Sequence, residues 1–333
     1  MKLGEIFRDH MVLQANKPIR VFGEGKGHAE VTFMGKTLTC DNDTDGKWVI
    51  EFPAMPYGGP YEMDVVCGGE HAVIHDIMVG EVILFSGQSN IQFRMVEEIT
   101  DPKDYVDDDM MRIFVSERPE AGEPLSPRDG WVRCAKENVP EWSALAYLVS
   151  LEARNAGIPA VGAVACSQGA SVIQSWIDEK IFLGSPLDIP SEKLHHDWKQ
   201  PGYIWNRPGM LYHFMLERLI PYSFGNVVWY QGESNTSIAE SEIYGDLLGM
   251  MIDNWRAVFH DEKLPFAVVV IADFREGEDW EGVQKAQEDA QNHIDGVVSV
   301  KSGDISEKRM IHPVTKWRLA KRIFSAMRDK HTI

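Results

Sequence analysis

Two residues far apart in the chain carry side chains from which a nucleophile and a base could be made. Ser89 lies in Ser86-Gly87-Gln88-Ser89-Asn90, after the apolar run Val82-Ile83-Leu84-Phe85 and before Ile91-Gln92-Phe93-Arg94-Met95, which reads as a helix. A glycine permits a sharp turn. A serine at a helix start sits among free backbone N–H groups and the positive end of the helix dipole, which suits an oxyanion. Serine is also a preferred N-cap, so the local pattern fits a cap as well as a nucleophile. The base would be His312, one of eleven histidines, in Met310-Ile311-His312-Pro313. It follows the last apolar run and precedes the last helical stretch, which puts it at the same sheet edge as Ser89. An exposed loop histidine fits that place too.

Two further segments follow apolar runs. In Ser167-Gln168-Gly169-Ala170-Ser171 a glycine allows close backbone approach, and its N–H could face an anionic oxygen. Gln231-Gly232-Glu233-Ser234-Asn235 brings amide side chains able to donate to the same oxygen. The chemistry open to this set is acyl transfer through an activated serine.

The elements that must position these residues fall into two patterns. Residues 1–77 alternate with period two in short runs such as Trp48-Val49-Ile50-Glu51-Phe52, punctuated by Asp45-Gly46 and Tyr57-Gly58-Gly59-Pro60. Antiparallel strands in a small β-sandwich are expected. From about residue 78 to 333, apolar runs at 82–85, 112–115, 160–166, 227–230, 266–272 and 297–300 alternate with helical stretches. Helices are expected from Ser143 to Gly157 and near 208–220, 240–259, 281–293 and 313–328. This predicts a three-layer α/β domain with a mainly parallel sheet, with ligands bound beyond the carboxyl ends of its strands.

Composition narrows the function classes. The 333 residues are 44% hydrophobic and 25% charged, which fits a soluble chain with a substantial core. Acidic residues outnumber basic ones 51 to 33, giving a formal net charge of −18, the wrong balance for tracking phosphates, so no nucleic-acid partner is expected. No stretch reaches the roughly 18 apolar residues of a membrane helix, so no membrane partner is expected either. Cys40, Cys67, Cys134 and Cys166 show no CxxC spacing, which signals neither a zinc knuckle nor a redox pair. With no apolar leader in MKLGEIFRDH, a cytoplasmic location is expected.

Read together, Met11-Val12-Leu13-Gln14, Ser86-Gly87-Gln88-Ser89-Asn90, Trp229 to Asn235, Asn254-Trp255-Arg256 with Leu264-Pro265-Phe266, and Ile311-His312-Pro313 resemble the sialate O-acetylesterases and related carbohydrate acetylesterases of the SGNH/GDSL hydrolases. The resemblance runs in family order from residue 11 to 313. It implies an SGNH-type αβα domain behind an N-terminal sandwich and a serine esterase that removes O-acetyl groups from carbohydrate, with no metal and no cofactor. It further implies Ser89 as nucleophile, His312 as base, and an oxyanion hole from Ser89, Gly169 and Gln231, with Asn235 a less favoured donor. Asn235, Glu233 and Trp176 are candidate substrate contacts, and Trp205, Trp229 and Tyr230 are further rings on which a sugar could stack. The chain departs from the family where many relatives have an aspartate shortly before the histidine; here those positions hold Arg309 and Met310. Asp304 is slightly favoured over Glu307 as orienting acid, and a backbone carbonyl is a third option. The charge of −18 makes neutral acetylated plant-wall oligosaccharides an alternative to a sialate. A glycan-binding relative with impaired catalysis, or a hydrolase of longer acyl chains, are the other readings.

Overall fold

The computed structural model describes residues 1–116, 130–274, 277–330 and 332–333. Strands β1 (Lys2–Leu3), β2 (Val12–Gln14), β3 (Ile19–Glu24), β4 (Ala29–Phe33), β5 (Lys36–Cys40), β6 (Lys47–Phe52), β7 (Gly58–Cys67) and β8 (Glu70–Gly87) occupy the start of the chain. β1, β3 and β6 form one antiparallel sheet, and β5, β4, β7 and the first half of β8 pair antiparallel in another. The period-two pattern works as the pleat requires: in β6, Trp48, Ile50 and Phe52 are buried while Lys47, Val49 and Glu51 are exposed. Phe33 of β4 meets Phe52 of β6 edge to face, ring centroids 6.0 Å apart, so side chains of the two sheets touch.

β8 is 18 residues long and does not stop at residue 77. Its second half enters a sheet ordered β10-β9-β11-β8-β12-β13-β14. The partners are β9 (Asp108–Val115), β10 (Trp131–Cys134), β11 (Val161–Ser167), β12 (Asn226–Tyr230), β13 (Phe266–Val269) and β14 (Val297–Val300). Neighbours run parallel except edge strand β10, which is antiparallel to β9. Val82, Ile83, Leu84 and Phe85 are fully buried, as expected of strands covered on both faces.

Helices α1 (Ser89–Gln92), α2 (Ala144–Asn155), α3 (Glu179–Phe182), α4 (Ile238–Ser241), α5 (Tyr244–Val258), α6 (Trp280–His293) and α7 (Lys316–Asp329) connect or flank the strands. α2 packs on α7 and α5 on α6. Ser143 caps α2, its side chain accepting the Ala146 N–H at 3.3 Å, and Gly157 beyond the end takes φ +94°. Three expectations change. The stretch expected to be helical at 208–220 is a π-helical turn at Tyr212–Leu216 and a 3₁₀ turn at Glu217–Leu219, closed by Pro221, which disfavours helix in the residue before it. The expected 240–259 helix splits into α4 and α5. The run 266–272 pairs only to Val269 in β13, because the Ile271 N–H is taken by Gln287 Oε1 at 2.9 Å instead of a ladder partner.

Candidate active site

Gly87 ends β8 level with Ser167 of β11 and Tyr230 of β12, so the loops after three adjacent strands leave one edge together. Gly87 has φ +135°, and a Cβ there would lie 2.6 Å from the Tyr230 carbonyl carbon, so a glycine is needed twice over. The extended residue Gln88 donates its N–H to the Tyr230 carbonyl at 3.0 Å, and Ser89 opens α1. The N-cap position is therefore Gln88, whose side chain makes no cap bond, and the Ser89 hydroxyl is not used in capping. Among the described residues the Ser89 N–H has no partner, as is usual for a first-turn donor.

His312 Nε2 lies 2.7 Å from Ser89 Oγ, although 223 residues separate them. The loop carrying His312 is held by Asn90, whose Nδ2 donates to the Ile311 carbonyl at 2.9 Å. Burial, then the nearby Lys316 charge, hold the imidazole below its ordinary pKa, with Glu97 opposing, so neutral His312 can accept a proton. No acid meets its other nitrogen among the described residues. Asp304, favoured from the sequence, places both carboxylate oxygens on Arg322 at 2.5 and 2.9 Å. Glu307 accepts from the Thr315 hydroxyl and N–H. Each carboxylate is drawn to a neighbour in its own region of chain, and the expectation of an Asp304–His312 bond does not hold.

The other expected residues divide between the rim and the interior. Gly169 is at the site: a Cβ on it would lie 3.7 Å from Ser89 Cβ, and its N–H donates to Gln92 Oε1 at 2.7 Å. Gln231 is fully buried, its Nε2 committed to Ser171 O at 2.9 Å, Asn235 Oδ1 at 2.7 Å and Gln88 Oε1 at 3.2 Å, so it cannot also serve an oxyanion. Asn235, also fully buried, donates to Gln174 Oε1 and Glu240 Oε1 and accepts from the Ile173 N–H, so it braces the loops from within. Trp176 packs against Trp229 and Trp255 in the core and donates to Ser171 Oγ at 3.1 Å; no sugar can stack on it. Trp229 and Tyr230 are likewise wholly buried, which leaves half-buried Trp205, near Ala170, from the expected rings. Trp229 and Tyr230 close β12 and still face the core, whereas Gln231, Asn235 and Trp176 lie beyond strand ends in segments that fold back into it.

Glu233 is buried and touches the site from below: Oε1 accepts from Asn90 Nδ2 at 2.6 Å, and Oε2 has no partner among the described residues. Burial pushes its carboxyl up to about 7. Lys316 Nζ donates to Asn90 Oδ1 at 2.5 Å, with its ammonium 4.7 Å from the Phe93 ring centroid and 5.7 Å from that of Tyr230. Burial brings Lys316 down to about 7. No group of three or more metal-ligating side chains occurs among the described residues. No helix among them is long and apolar enough to cross a membrane.

Gly169→Ala gives a direct check on the rim. The new Cβ would stand 2.9 Å from Gln92 Oε1, pressing that amide and Ser89 apart, and kcat/KM for an acetyl ester is expected to fall about tenfold at unchanged fold. Unchanged kinetics would place Gly169 outside the reacting zone.

Residues 79–328 match the family model described as carbohydrate esterase, sialic acid-specific acetylesterase. The chain is 25% identical over 268 residues to the sialate O-acetylesterase of Homo sapiens, covering 72% of this chain and 49% of that protein. To the enzyme of the same name from Mus musculus it is 24% identical over 320 residues, covering 80% and 59%. The chain thus spans about half the length of the curated relatives it matches. Among solved structures, a carbohydrate acetylesterase from Xanthomonas citri aligns with TM-score 0.82 at 28% identity, covering 98% of this chain and 74% of that one.

Proposed function

Because the chain belongs to the carbohydrate esterases of the sialic acid-specific acetylesterase family, we propose that it hydrolyses O-acetyl esters of carbohydrates with Ser89 as nucleophile and His312 as general base. His312 Nε2 takes the hydroxyl proton as Ser89 Oγ attacks the acetyl carbonyl, and the proton passes to the departing sugar oxygen. Water, activated by the same imidazole, then attacks the acyl-enzyme and releases acetate. The oxyanion is met by the Ser89 N–H and, once the exposed Gln92 amide swings off it, by the Gly169 N–H. The observation that carries this reading is the 2.7 Å Nε2···Oγ approach of a hydroxyl with no competing structural duty.

The test is acetate release from acetylated sialic acids and from acetylated neutral oligosaccharides, alongside labelling of Ser89 by a serine-reactive phosphonate. The expected result is labelling at Ser89 and acetate release from at least one panel. Binding of glycans with neither would overturn it in favour of a non-catalytic relative. Chain length separates an acetylesterase from a lipid or thioester hydrolase: kcat/KM for a butyryl ester is expected at least about tenfold below that for acetyl. A rise with chain length would reject the acetyl assignment.

A further inference from the structure

We propose that Lys316 and Glu233, joined through the Asn90 amide, form a positioning unit that holds His312 against Ser89, where no acid among the described residues meets the imidazole. The inference rests on the proposed roles of Ser89 and His312.

The geometry converges on one side chain. Asn90 follows Ser89 directly, and Ile311 precedes His312 directly. The single 2.9 Å bond from Asn90 Nδ2 to the Ile311 carbonyl therefore ties nucleophile turn to base loop through immediate neighbours. That bond forms only if the Asn90 amide presents its NH2 toward Ile311. Two ionisable side chains fix the amide in that sense: Lys316 Nζ donates to its oxygen at 2.5 Å, and Glu233 Oε1 accepts from its nitrogen at 2.6 Å. An ammonium can only donate and an unprotonated carboxylate only accept, so a flipped amide would set donor against donor and acceptor against acceptor. The two charges form no direct ion pair among the described residues. Their meeting point is Asn90.

Lys316 costs free energy to bury, at 1% exposure, and fills a place an apolar residue could take. Its surroundings offset part of that cost: the Phe93 and Tyr230 rings, Glu233 after β12, Glu97 and Glu98 in the segment after α1, and Glu307 in the loop before α7 all favour the ammonium. Its charge also reaches His312 and disfavours the imidazolium, while Glu97 favours it. The unit thus sets both where the imidazole sits and when it is protonated.

The experiment compares wild type with Lys316→Gln, which keeps a donor toward Asn90 without the charge, and with Lys316→Met, which removes both. His312 is titrated by NMR in each, and kcat and KM for an acetyl ester are followed against pH. Removing a positive charge that lowers the His312 pKa raises that pKa. The titration midpoint and the acid limb of kcat/KM should therefore both move to higher pH, by roughly half a unit to one unit. With Lys316→Met, kcat should also fall about 10- to 100-fold with little change in KM, and Glu233→Gln should lower kcat about tenfold. A lower kcat with an unmoved midpoint in both Lys316 variants would mean simple packing and overturn the proposal, as would wild-type kcat in Lys316→Met. The NMR titration needs no turnover. A wild type that releases no acetate but shows the shift in Lys316→Gln would refute the esterase reading and leave this coupling standing.

Discussion

Ser89→Ala is expected to lower acetate release by a factor of about 10⁴ or more, with substrate binding largely kept. The alanine removes the nucleophilic oxygen that lies 2.7 Å from His312 Nε2. It takes nothing from the fold, since the hydroxyl caps no helix and bonds to no other group among the described residues. His312→Ala should cost a comparable factor, and the double variant little more than either alone, because nucleophile and base act as one unit. Purified variants with the wild-type circular dichroism spectrum, assayed on an activated acetyl ester, supply the comparison. Wild-type turnover in Ser89→Ala would remove this serine from the reaction, and additive losses in the double variant would break the pairing.

Gly87→Ala is expected to do nearly as much damage by a different route. An alanine at φ +135° costs on the order of 1–3 kcal/mol in backbone strain. Its Cβ also runs into the Tyr230 carbonyl, where β8 and β12 lie side by side, adding about 1–3 kcal/mol of overpacking. Relief can come only by moving the turn that presents Ser89. A displacement of about 1 Å costs roughly 10²-fold in rate. Equilibrium denaturation and steady-state kinetics should therefore both report the change. A variant as stable and active as wild type would show that this turn has slack.

Where the sequence was legible, it was legible through periodicity and placement. All six of the apolar runs lie in parallel strands because each has to be covered on both faces, and Ser89 and His312 stand out because each follows such a run. What stayed hidden depended on which way a side chain points at a strand end. Gln231, Asn235 and Trp176 sit next to the chemistry along the chain yet turn inward, and nothing in their spacing distinguishes rim from core. The acid partner failed for a related reason: Asp304 is close to His312 in sequence, but Arg322, one helix later, claims its carboxylate. Lys316 did leave a trace. It falls in phase with Leu319, Ala320, Ile323, Phe324 and Met327 on the buried stripe of α7, and a lysine on an apolar stripe asks for a buried partner. Asn90, inside the serine motif, was the partner to look for.

β8 begins against β7 near the start of the molecule and ends at the turn that carries Ser89. Its 18 residues are one continuous strand that pairs with β7 at its start and with β11 and β12 at its end, and Gln14 of β2 braces it by accepting the Val82 N–H at 2.7 Å. The first seventy residues are therefore not a pendant that can swivel on a tether. Cutting them away would strip the flanking ladder from the very strand on which the nucleophile rides. One uninterrupted strand thus joins the outer ladder to the turn that carries Ser89.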